Sequence, residues 1–206
     1  MKRELSPLHL ALVLILACII FRLLGSQFTL AVHNISPLMA VAFVGAMYLP
    51  RQWGWLVGAA ALLITDLAFL PLNYLTDNAG TMFSWWTLLS LGLYLAAGGL
   101  GVLIARRKSL TKIISGSLVC SLLFYLVSNT FSWWHDVVVG MQPGYAPTAA
   151  GWWQAMTVGL PGYPATWTFL RNGMAGDLFF TLLLLLILDR AFLLGQAPAR
   201  TAPRAA

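Results

Sequence analysis

The chain has 206 residues, 60% of them hydrophobic and 9% charged. That excludes an ordinary soluble domain and fits one compact polytopic membrane domain. The net charge of +6 would suit nucleic acid, but the basic residues lie between apolar runs. Orientation in a bilayer accounts for them, and no nucleic-acid partner is expected.

A span needs about 20 mostly apolar residues, and six candidates follow in chain order. The first, residues 8–25, has a basic start and Ala17-Cys18, like a lipoprotein cleavage site. Leu16 is large where cleavage wants a small residue, and the apolar run continues to Leu24, so an uncleaved span is expected. The second, 28–49, is interrupted by His33-Asn34-Ile35-Ser36-Pro37. Ser36 reads as an N-cap and Pro37 as the first helical position, which leaves a short helix ending at Leu49. The segment before it must face protein or water.

The third span, 53–71, carries Asp66; the fourth is 83–105; the fifth, 111–134, carries Ser128, Asn129 and Thr130. A loop of about 30 residues then holds AAGWWQAMTVGLPG. That stretch is too short to cross and suits an interfacial or re-entrant helix over the outer mouth. The sixth span, 166–195, carries Arg171, Asn172 and Asp177 near its start. Residues 1–195 thus read as a single transmembrane domain, and the Pro- and Ala-rich 196–206 as a disordered cytoplasmic tail.

With the N-terminus inside, ten of the twelve Lys and Arg fall in cytoplasmic segments: Lys2, Arg3, Arg51, Arg106, Arg107, Lys108, Lys112, Arg190, Arg200 and Arg204. The outer loops hold none, and Arg22 and Arg171 fall within spans. The expectation is an all-α polytopic membrane protein, with six transmembrane helices and both termini cytoplasmic.

On this topology Arg22, Asp66, Asn129, Arg171, Asn172 and Asp177 share the outer side. An isolated ionised group at the helix centre costs roughly 2.5–3.5 kcal/mol on insertion scales, so these groups should face inward and pair. Arg171 and Asp177 are six residues apart, about 240° around a helix, and cannot readily pair with each other. Asp66 with Arg171, and Arg22 with Asp177, are the expected pairs. His33, Asn34, Asn73, Tyr74, Asp77, Asn78, His135, Asp136, Tyr145 and Tyr163 fall in outer loops over the same mouth.

Two readings follow. The polar groups are either ion pairs that hold the bundle together or an outward-facing pocket for a small-molecule ligand. In the second, Arg171, Asn172, Asp66, Asn129, Asp177, Asn34, His33 and Trp133 are the candidate ligand-binding residues. The helix start at Ser36-Pro37 would favour an anionic or carbonyl-bearing ligand. Seven of nine tryptophans, Trp85, Trp86, Trp133, Trp134, Trp152, Trp153 and Trp167, lie outside. They suit an interfacial belt, with some rings available to stack on a flat ligand.

Several chemistries have no signature. There is no P-loop, no HExxH and no GxSxG, so neither ATP hydrolysis nor an enzyme is expected. Cys18 and Cys120 lie in apolar runs and read as buried packing. His33 and His135 lack a clear third ligand, so no metal and no cofactor is expected.

The blocks NISPLMAVAFVGAMYLP, LLITDLAFLPLNY, SLLFYLVSNTFSWW and FLRNGMAGDLFFTLLLL resemble an uncharacterised family of small bacterial membrane proteins, over about residues 30 to 190. That resemblance implies the bacterial cytoplasmic membrane. The family in turn resembles the S components of energy-coupling-factor (ECF) vitamin transporters. Those have six helices, cytoplasmic termini and a ligand site near the outer face. This second resemblance implies an S-component-like bundle in the lipid bilayer, a vitamin-like ligand, and an ATPase or coupling membrane subunit as partner. The first span offers Ala11 and Ala17, six apart, rather than the small residues four apart often found in S components. The loop after span three lacks the cysteine used by some cobalamin S components. The leading expectation is a binding or uptake subunit; the alternative is a structural or accessory membrane protein without a ligand.

Overall fold

The computed structural model describes residues 6–25, 35–75, 84–141 and 144–189, with side chains described to residue 21 in the first helix and 68 in the third. Among the described residues the chain is helical, with no strand. In order the helices are α1 (Pro7–Gly25), α2 (Leu38–Tyr48), α3 (Val57–Leu75), α4 (Trp85–Ala105), α5 (Leu110–Val139), α6 (Ala149–Met156) and α7 (Trp167–Leu188). A single 3-10 turn, Gly54–Leu56, leads into α3.

Three helices, α4, α5 and α7, are long and apolar enough to cross a membrane, and shorter apolar stretches lie at Pro7–Phe21, Leu38–Tyr48 and Gly54–Ala68. The outer surface is apolar too. On α1 the residues at spacing four, Leu8, Leu12, Leu16 and Ile20, are exposed, while Ala11, Leu14, Ile15 and Cys18 are buried. An aliphatic stripe of that kind needs an apolar surrounding, which a bilayer supplies.

The short α2 is the centre of the molecule. Residues 40 to 44 are at most 1% exposed. A helix apolar all round belongs in the interior, and a buried helix need not match the bilayer's thickness. Its neighbours approach it through glycine. A Cβ on Gly58 of α3 would stand 2.2 Å from the Ala42 Cβ, and one on Gly101 of α4 would stand 2.1 Å from the Phe43 carbonyl oxygen. The turn Val41–Gly45 inside α2 is π-helical. The helix starts one residue later than the Ser36-Pro37 pattern predicts: Pro37 is its N-cap, with Val41 N bonded to Pro37 O at 2.8 Å, and Ser36 Oγ accepts the Leu38 N–H at 3.2 Å.

α4 packs along the central α2, and α5 packs along α7. α5 begins at Ser109, whose Oγ accepts the Lys112 N–H at 3.2 Å. It ends at Gly140, whose φ of 71° closes the helix in the left-handed region. It therefore runs past Trp134, and His135 and Asp136 lie in its last turns rather than in a loop. α7 stops at Leu188, short of the expected 195. Asp177 lies in the middle of this helix, ten residues or about 15 Å from Trp167. The AAGWWQAM stretch forms α6, capped by Thr148 Oγ1 accepting from Gly151 N at 3.1 Å. The tail 196–206 lies outside the described residues.

Candidate functional site

Between α2, α4, α5 and α7 lies a cavity of about 180 Å³. It lies on the side of the bundle where the tryptophan-rich ends of α4, α5 and α7 gather. Its polar wall comes from Ser121, Ser128 and Asn129 of α5, Asp177 of α7 and Ser36 before α2. Its apolar wall comes from Met39, the rings of Tyr94, Phe124, Tyr125 and Phe169, and Leu170. The Tyr94 and Phe124 rings lie 5.9 Å apart, tilted by 37°. Gly173 completes the wall, and a Cβ added there would meet nothing within 4 Å.

Asp177 is 8% exposed. Its carboxylate Oδ2 receives the Ser121 hydroxyl at 2.6 Å. The same hydroxyl stands 3.1 Å from the Ser117 carbonyl oxygen, and its single proton serves one acceptor at a time. One turn along, Ser117 Oγ and Thr181 Oγ1 share a hydrogen bond of 3.1 Å. Two residues at spacing four on α5 thus face two at spacing four on α7, because i and i+4 share a helix face. Around the mouth, Ser128 Oγ and Asn129 Nδ2 both donate to the Tyr125 carbonyl, at 3.3 and 2.8 Å. The Tyr125 hydroxyl donates to the Met156 carbonyl and ties α6 to α5.

Of the sequence candidates, the structure brings Asn129 and Asp177 into the cavity wall and leaves others elsewhere. Arg171 is exposed; its Nε donates to Asn172 Oδ1 at 3.2 Å, and its guanidinium lies 5.4 Å from the Trp167 ring centroid. The expected Arg171–Asp66 pair is not formed. The reason is the turn of α7: with Asp177 facing inward, a residue about 240° away faces out. A position one turn from the helix start also lets the guanidinium reach the polar boundary. Asn172 follows Arg171 away from the wall.

Asp66 lies half-buried on α3, outside the wall, and is not without a partner. Asp177 meets Ser121, and the expected pair of Arg22 with Asp177 falls on a side chain outside the described residues. Trp133 Nε1 donates to the Ala146 carbonyl at 2.9 Å and Trp152 Nε1 to Thr130 Oγ1 at 3.1 Å, so both fasten the α5–α6 segment. None of the outer tryptophans lines the cavity; Trp85, Trp134, Trp153 and Trp167 are at least 50% exposed. His33, Asn34, Asp77 and Asn78, and the side chains of Asn73 and Tyr74, lie outside the described residues.

Tyr145, in the loop before α6, has its phenol held above the ordinary tyrosine range by burial and then by the Asp136 carboxylate, against a hydrogen bond to Thr166 that lowers it. Among the described residues no three His, Cys, Asp or Glu side chains gather to hold a metal ion.

Sequence reasoning passed over Ser117, Ser121 and Thr181. The signal was present: hydroxyls at spacing four on two otherwise apolar helices, one of them shared with Asp177.

No curated protein and no solved structure matches the chain. Residues 2–195 match a family described as a family of unknown function, DUF6580, and the chain belongs to that family.

Proposed function

We propose that the chain is an integral membrane protein that binds a small molecule in the cavity between α2, α4, α5 and α7. In this reading it serves as the binding or uptake subunit of a transport system, in the manner of ECF S components. Six segments cross the bilayer with both termini cytoplasmic, because the basic residues Arg51, Arg106, Arg107, Lys108 and Lys112 gather at one end. The tryptophan-rich end and the cavity then face outward. A partner ATPase or coupling membrane subunit supplies the energy. Arg171 and Asn172 guard the rim rather than hold the ligand.

The observation that carries this reading is Asp177. A carboxylate in mid-helix, met by a hydroxyl and opening on a cavity of about 180 Å³, is an arrangement that packing alone does not require. The volume narrows the ligand. A cavity of about 150 Å³ takes up one benzene, so the expected solute has roughly one ring, smaller than most vitamins.

A second reading has its own support. The chain of hydroxyls Ser117, Thr181 and Ser121 with Asp177 would also join α5 to α7 in a structural or accessory protein. Native mass spectrometry of protein gently extracted from its host membrane separates the two. A stoichiometric retained molecule, with or without a co-purifying ATPase, is expected for a binding subunit. A folded chain carrying only lipid would favour the structural reading.

A further inference from the structure

We infer that the ligand of this cavity is a small organic cation, one protonated or quaternary nitrogen on a compact apolar body, with Asp177 as its counter-ion. The inference rests on the binding reading above and gives it a substrate class. It reverses the anionic or carbonyl ligand expected from the helix start at Ser36-Pro37.

The first argument is charge. Among the described residues of the wall, Asp177 is the one charged side chain. Its described partner is the Ser121 hydroxyl. Burying a carboxylate without a counter-charge is costly, and a bound cation supplies the missing charge. An anionic ligand would face the same carboxylate across about 180 Å³ and would be repelled.

The second argument is independent of charge and comes from hydrogen-bond direction. Several donors of the polar wall are committed within the protein. Ser121 donates within the Asp177–Ser117 cluster. Ser128 and one amide hydrogen of Asn129 go to the Tyr125 carbonyl. The Tyr125 hydroxyl goes to Met156. The wall then offers oxygen lone pairs from Asp177, Asn129 and the serine hydroxyls, beside the second Asn129 amide hydrogen and the Ser36 hydroxyl hydrogen. A complementary ligand brings hydrogens and positive charge.

The third is the apolar lining. Tyr94, Phe124, Tyr125 and Phe169 place rings around the space, and aromatic faces attract cations. The rings are compatible with a neutral aromatic solute as well, so the carboxylate decides the sign. The rival is a ligand-free carboxylic acid. A proton on Asp177 donated to Ser121 would let Ser121 donate to Ser117, satisfying both contacts with no ligand cation.

The test uses three probes of one size and three charges: benzylammonium, benzyl alcohol and benzoate. Binding to the purified full chain in detergent is measured by calorimetry at neutral pH. The expected ranking is benzylammonium at least about tenfold tighter than benzyl alcohol, as charge-assisted hydrogen bonds require, with benzoate weakest. Asp177→Asn should bring benzylammonium to within about twofold of benzyl alcohol. Equal or tighter binding of the alcohol or of benzoate overturns the inference, as does a preference that survives Asp177→Asn.

Should Asp177→Asn not fold, the wild-type ranking still decides the sign. Gly173→Leu, which fills the cavity, must then abolish binding if the site is here; persistence of benzylammonium binding in that variant also overturns the inference. Failure of all three probes overturns it too, while a retained small molecule in native mass spectrometry would leave the binding reading standing.

Discussion

Asp177 and Asp189 lie twelve residues apart along α7 and its C-cap, and their surroundings differ in kind. Asp189 sits at the basic end, where Lys108 Nζ stands 3.3 Å from its Oδ2 and the Tyr48 hydroxyl donates to the same oxygen at 3.1 Å. Lys108 also lies 4.0 Å from the centroid of the Tyr48 ring. That aspartate, the lysine and the ring close a contact between α2, the start of α5 and the end of α7. It is about one-third exposed, so its net worth is small, within about 1 kcal/mol. Asp177 is buried, has a hydroxyl where Asp189 has a cation, and opens on a cavity. The same type of side chain closes a contact at the C-cap of α7 and lines a cavity at mid-helix.

The contrast can be broken or sharpened by substitution, and the effects should fall in a definite order. The largest is at the core both regions share. Gly101→Val puts side-chain atoms into the Phe43 carbonyl, where a Cβ already falls at 2.1 Å. A loss of about 3 kcal/mol, seen as failure to purify a monodisperse protein, is expected. Ser121→Ala comes next. It removes the described partner of Asp177 and should cost about 1–3 kcal/mol, read as a lowered unfolding midpoint in detergent.

Gly173→Leu has the opposite sign on stability. Its Cβ meets nothing within 4 Å, and replacing a helical glycine favours the helix by up to about 1 kcal/mol. Ligand retention should be abolished while the unfolding midpoint holds or rises. Asp189→Asn should lower the midpoint by no more than about 1 kcal/mol and leave ligand binding unchanged. The smallest effect belongs to Arg171→Ala. The side chain is exposed and touches Asn172 and the Trp167 ring, so a shift within about 0.5 kcal/mol is expected, with binding retained.

Much of the helical plan was legible because apolar runs of span length have few alternatives. α1, α4 and the start of α5 fall within a residue or two of their expected bounds. The helix start near Ser36-Pro37 was legible to within one residue for a local reason: a hydroxyl before a proline fits a helix start. The far end of α5 was not, because Val137, Val138 and Val139 continue the helix until Gly140 stops it, and a His-Asp pair alone does not end one.

In the site, Asn129 and Asp177 were readable as intramembrane polar residues. Arg171 is exposed on α7, about 240° around the helix from the inward Asp177, and exposure of that kind is set by packing. The cavity itself was not legible. It arises where α2 begins short of its neighbours and Gly173 leaves a side chain's volume empty, and both are facts of packing between helices distant in sequence.

The most direct measurement is native mass spectrometry of the wild type and Gly173→Leu side by side, each extracted from the same host membrane under the same conditions. The account predicts a stoichiometric small molecule on the wild type and a bare, equally folded variant. A wild type that retains only lipid, or a variant that keeps the same molecule, would contradict the assignment of this cavity as the binding site.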